Sequence, residues 1–68
     1  MAVDDQQAIL HYNLACYWSL AGDAEVAIRY LAQSFDIEPS YRDLAADETD
    51  FDPIRNLPEF QALTGAAV

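Results

Sequence analysis

The chain has 68 residues, 53% of them apolar, with 12 acids against three arginines, no lysine and a formal charge of −9. That length allows a single domain, 1–68, and the apolar content excludes a disordered chain. The charge repels nucleic-acid phosphates and anionic lipid surfaces, so neither a nucleic acid nor a membrane is an expected partner.

Small folds lean on disulfides, a metal, a partner or very regular helix packing. Cys16 is the sole cysteine, which rules out an internal disulfide, and His11 is the sole histidine. One of each cannot close a zinc site without carboxylates or a second chain. Helix packing, with or without self-association, is what remains. No apolar run approaches the ~20 residues of a membrane span. Met1-Ala2-Val3-Asp4-Asp5 is acidic, unlike the basic start of a secretory signal, and a reduced, cytoplasmic setting is expected.

In chain order, 4–21 reads as a first helix, with Asp4 or Asp5 capping its free amides. Leu10 or His11, Leu14, Trp18 and Ala21 recur at helical spacing and are the expected inner face. Ile9, Tyr12, Cys16 and Leu20 form a second apolar set. A helix with two apolar faces must cover both. Gly22 suits a left-handed stop, and Asp23 an immediate restart. The second helix, 23–37 with its cap, carries Ala24, Ala27, Ile28, Leu31, Ser34 and Phe35 inward. Pro39 ends it by pushing Glu38 out of helical geometry.

Ser40 opens a short third helix, 40–47, with Asp43 in a capping-box-like position. Tyr41, Leu44 and Ala45 are expected on its inner side. A polar turn at 47–50 precedes a further turn of helix, 51–56, with Pro53 near its start. A last helix, 58–64, begins at Pro58, points Phe60 and Leu63 inward and stops at Gly65; 66–68 are expected to be loose. The fold expected is therefore all-α: a helical hairpin, hinged at Gly22-Asp23 and closed by short helices.

His11-x2-Leu14-Ala15-x2-Trp18, then Ala27-x3-Leu31, then Pro39 hold the spacings of the tetratricopeptide repeat (TPR), a 34-residue helical hairpin. Tyr12-Asn13-Leu14, Gly22-Asp23 and Glu25-Val26-Ala27-Ile28 are also similar to the family's usual strings. The resemblance covers 8–41, half of the chain. His11 stands where the family prefers tryptophan, and Ser34 where it prefers alanine, so the interior is slightly less apolar. Residues 42–65 resemble a degenerate second repeat, or the C-terminal cap that closes bacterial TPR proteins. The resemblance implies a groove along the first helix that takes an extended peptide or partner helix. Its side here would be Ile9, Tyr12, Asn13, Cys16 and Leu20, with Asn13 at the position that often bonds a ligand's backbone; Tyr12 itself reads first as a packing residue against a neighbouring helix.

No catalytic constellation is present: no P-loop, no G-x-S-x-G and no H-E-x-x-H. His11 reads as a core residue, and Cys16 as a small apolar filler. Asp43, Asp47, Glu48, Asp50 and Asp52 lack the turn glycine and terminal glutamate of a calcium loop. Arg42 and Arg55 are expected to pair with nearby carboxylates. No cofactor, metal or catalysis is expected. Three roles are open: an interaction module that holds a protein or peptide; a structural homodimer or the terminal segment of a longer TPR array; and an acidic decoy of a basic partner.

Overall fold

The computed structural model describes residues 5–65, with side chains from residue 7 onward. Asp4, the side chain of Asp5 and the end at 66–68, where a cap and a loose tail are expected, lie outside what is described. Five helical elements follow in order: α1 (Asp5–Ala21), α2 (Ala24–Ile37), α3 (Tyr41–Asp47), a 3-10 helix (Thr49–Ile54) and α4 (Pro58–Thr64). The fold is all-α, and among the described residues there is no strand.

The hinge follows from its two residues. Gly22 takes φ +90°, a left-handed conformation that a side chain would strain. Its amide donates to the Ser19 carbonyl, and the Asp23 amide donates to the Trp18 carbonyl at 2.9 Å. Those two bonds satisfy carbonyls that the end of α1 would otherwise leave open. Asp23 then caps α2, its carboxylate accepting from the Val26 amide at 3.2 Å. The chain reverses within two residues. The Ser34 hydroxyl, near the end of α2, donates to the Ala8 carbonyl, near the start of α1. The two helices are therefore antiparallel.

The face of α1 turned to α2 differs from the one expected. Ala8, Ala15 and Ser19 are fully buried, whereas Leu10, Leu14 and Ala21 are exposed. Small side chains at positions 8, 15 and 19 let α2 approach closely, and a leucine at the interface would hold it away. Of the expected inner set, His11 and Trp18 turn partly inward. His11 bonds the Gln7 carbonyl through Nδ1 and packs its ring 5.8 Å from that of Tyr30. On α2 the stripe is as expected: Ala27, Leu31, Ser34 and Phe35 are buried, and Ala24 and Ile28 pack against them.

The C-terminal third folds back over the hairpin. Phe51, Ile54 and Phe60 complete the core, and Leu57 and Leu63 pack at its edge. Phe51 stands edge-on to Tyr12 at 5.6 Å and tilted against Phe60 at 5.6 Å. The Ser19 hydroxyl donates to the Asp50 carbonyl at 2.7 Å and pins the 3-10 helix to α1. Three local expectations fail here. Ser40 makes no cap bond; its hydroxyl donates instead to the Glu38 carboxylate at 2.7 Å. The 3-10 helix starts at Thr49, two residues early, because Glu48 caps it by accepting from the Asp50 amide. Leu44 is 56% exposed, and α3 buries Ala45 in its place. At the far end Gly65, at φ +72°, closes α4 as its position implied.

Candidate protein-contact surface

α1 carries apolar side chains around its whole circumference, and the other described residues cover only half of it. At 100° per residue, Ala8, Tyr12, Ala15 and Ser19 fall on one side. Ile9, Leu10, Leu14, Tyr17 and Leu20 fall within an arc of about 140° on the other, with Asn13 inside that arc. These five apolar residues are 46%, 59%, 40%, 61% and 62% exposed. An isolated exposed leucine is ordinary, but five large apolar groups on one helix face form a continuous patch. No acid, lysine or arginine lies between Asp5 and Asp23, so nothing charged interrupts it.

The groove expected along Ile9, Tyr12, Asn13, Cys16 and Leu20 is divided by this geometry. Tyr12 and Cys16 are half-buried and pack against the core. Tyr12 lies edge-on to Tyr41 at 5.5 Å as well as to Phe51, so α3 and the 3-10 helix occupy that side. Ile9, Asn13 and Leu20 stay exposed and join Leu10, Leu14 and Tyr17. The open strip is thus rotated away from α3 and the 3-10 helix. Leu14, expected inside, belongs to it; so does Leu10, the alternative to His11 for the inner face, and so does Tyr17, which helical spacing does not single out. The uncharged run from residue 6 to residue 22 was the available signal.

On the covered side two weak acids are held in their neutral forms. Burial pushes the Cys16 thiol up to about 11, with the Asp50 and Glu48 carboxylates adding to it. Burial also raises the Tyr12 phenol, and the Cys16, Glu48, Asp50 and Tyr41 groups act in the same direction. A thiol protonated at neutral pH is a poor nucleophile. Cys16 should therefore resist iodoacetamide at pH 7.5 and react at the rate of a free thiol only once the chain is unfolded. The linked effect on stability has a definite sign. The folded thiol keeps its proton at pH values where the unfolded thiol, at its ordinary 9.0, has lost it. Stability is thus fully present below pH 9 and falls as pH rises from about 9 to about 11. Urea midpoints measured from pH 7 to pH 11 should show this decline, and Cys16→Ala should remove the thiol's share of it. A flat profile would contradict the burial of both groups.

The remaining candidates have local partners. Arg42 lies 5.6 Å over the Phe35 ring and, among the described residues, pairs with no carboxylate. Arg55 pairs with Asp52 at 3.0 Å, as expected, and also donates to the Ala46 and Glu48 carbonyls. Asp43, Leu44, Asp47 and Glu48 line a shallow cleft beside Tyr12. Among the described residues no three histidine, cysteine or acidic side chains converge as a metal site would require, and no helix is long and apolar enough to cross a membrane. No family model, curated protein or solved structure matches the chain.

Proposed function

We propose that the protein is a non-catalytic interaction module, a TPR-like hairpin with a C-terminal cap, that holds another protein against the outer face of α1. The observation that carries this reading is the position of Ile9, Leu10, Leu14, Tyr17 and Leu20. They lie opposite the core on a helix that the chain's own cap covers on one side alone. Water contact over so much apolar surface is unfavourable by roughly 25 cal/mol per Å², and a docked helix or extended segment relieves it. Asn13 supplies a donor and an acceptor within the patch. The TPR resemblance supports the reading through the residues of 8–41. The face is rotated from the groove that resemblance implied, because Tyr12 and Cys16 serve the cap.

The test is site-specific photo-crosslinking in the source cell. A photoreactive phenylalanine in place of Tyr17, which is 61% exposed, should yield discrete protein adducts. The same group in place of Glu59, exposed at the start of α4, should yield none. Adducts from position 59 but not from position 17 would overturn the assignment of the face.

A further inference from the structure

We propose that the occupant of this face is a second copy of the chain, the two α1 helices packing antiparallel about a twofold axis between Asn13 and Tyr17. This rests on the reading of the α1 face given above and adds the identity of the partner.

Charge favours a second copy on this face. Every other helical element carries carboxylates: Glu25 and Asp36 on α2, Asp43 and Asp47 on α3, Asp50 and Asp52 on the 3-10 helix, and Glu59 on α4. Two bodies of charge −9 repel wherever those surfaces meet. The outer face of α1 has no charged group between Asp5 and Asp23, so two copies can touch there without setting carboxylate against carboxylate. A basic partner would gain nothing on this face and would favour the acidic ones.

The exposed area also suits a dimer. Five large apolar side chains, each 40–62% exposed, present on the order of 500 Å² per copy. Doubled across a twofold, this is about 1,000 Å², the lower limit for a specific interface. The monomer has reason to use it. Among the described residues four of the nine buried apolar ones are alanines, namely Ala8, Ala15, Ala27 and Ala45, and small folds bury little apolar surface.

The face is also self-complementary. In an isologous contact, residue i meets j and j meets i. An axis midway along the patch sets Leu10 against Leu20 of the other copy and Asn13 against Tyr17 of the other copy. The first pair is apolar on both sides. The second joins an amide to a phenol, two groups that can bond, and one polar pair in an apolar seam fixes register. α1, with 17 residues, is about 25 Å long, and its charge-free stretch holds both pairs and their twofold mates.

Sedimentation equilibrium on the full chain at 1–200 μM decides the matter. The expected species is a dimer of twice the 7.6 kDa chain mass, tighter at 0.5 M than at 0.05 M salt, because screening relieves the −9 against −9 repulsion. Leu10→Glu and Leu20→Glu alter exposed residues, so each should keep its helical circular dichroism while association weakens tenfold or more. Leu10→Lys alone should weaken it likewise. Leu10→Lys combined with Leu20→Glu in one chain should restore the dimer, since each lysine then meets a glutamate across the axis. A monomer at 200 μM overturns the second copy as occupant; adducts to other proteins from position 17 would still leave the interaction face standing. A dimer that survives Leu20→Glu overturns the choice of face, and failure of the double variant to associate overturns the antiparallel register.

Discussion

Replacing Phe51 by alanine is expected to lower the stability of the fold by about 3–5 kcal/mol, the range for emptying a fully buried aromatic site. Phe51 has no exposure to solvent. Its ring meets Tyr12 of α1 on one side and Phe60 of α4 on the other, so one side chain joins three elements. At 0.05–0.15 kcal/mol per residue, a chain of this length is stable by roughly 3–10 kcal/mol in all. A loss of that size leaves the variant partly unfolded at 25 °C. Urea unfolding at fixed protein concentration measures it, and the Cys16 thiol provides an independent reading. With the cap detached, iodoacetamide should reach Cys16 at pH 7.5. The control is Leu44→Ala, also in the C-terminal third but 56% exposed, for which a change within about 0.5 kcal/mol is expected. A native urea midpoint in the Phe51→Ala variant would mean that the 3-10 helix is an ornament on a hairpin that stands alone.

The hairpin and the last helix were legible in the sequence because their boundaries are each set by one residue with one local preference, whereas the starts of α3 and the 3-10 helix, where Ser40 and Glu48 act otherwise than expected, were not. Gly22 and Gly65 take the left-handed conformations that end helices, Asp23 caps, and Pro58 begins. Which face of α1 points inward was not legible, and the reason is physical. Periodicity marks apolar positions, and on α1 these run round the whole helix, so hydrophobicity cannot choose between its sides. The choice falls to size. Ala8, Ala15 and Ser19 admit α2, and the Ser19 and Ser34 hydroxyls are tolerated inside because each finds a backbone carbonyl, at Asp50 and Ala8. The strongest hydrophobes, Leu10, Leu14 and Leu20, are left outside by a rule of fit, and that leftover set defines the candidate surface. For Tyr12 and Cys16 the TPR resemblance implies a groove, while their own chemistry implies packing, and it is the packing that holds. The chain's own aromatic residues, Tyr41 and Phe51, fill that space first.

Arg55→Ala is expected to cost about 2–3 kcal/mol, far more than a surface arginine usually does. The guanidinium does three things at once. Nη1 donates to the Ala46 carbonyl at 2.7 Å and Nη2 to the Glu48 carbonyl, so the carbonyls at the end of α3 are closed by a side chain rather than by another turn. Nε donates to Asp52 at 3.0 Å, and the plane lies over Phe60, its carbon 5.7 Å from the ring centre. Bonds to a charged donor contribute roughly 1.5–3 kcal/mol each when sheltered. The side chain is 34% exposed, so water replaces part of what is lost and the total falls well below their sum. Arg55→Lys should recover little, because an ammonium cannot hold two carbonyls, a carboxylate and a ring face in one plane. Arg29→Gln removes the same charge from a chain that has three cations. Its contact with Glu25 is 3.5 Å, with side chains 63% and 84% exposed, and a change under about 0.5 kcal/mol is expected. Equal losses at both positions in urea would assign the effect to net charge. A large loss at Arg55 that lysine does not repair, and that persists in 1 M salt, assigns it to the fork of donors that ties α3 to the cap.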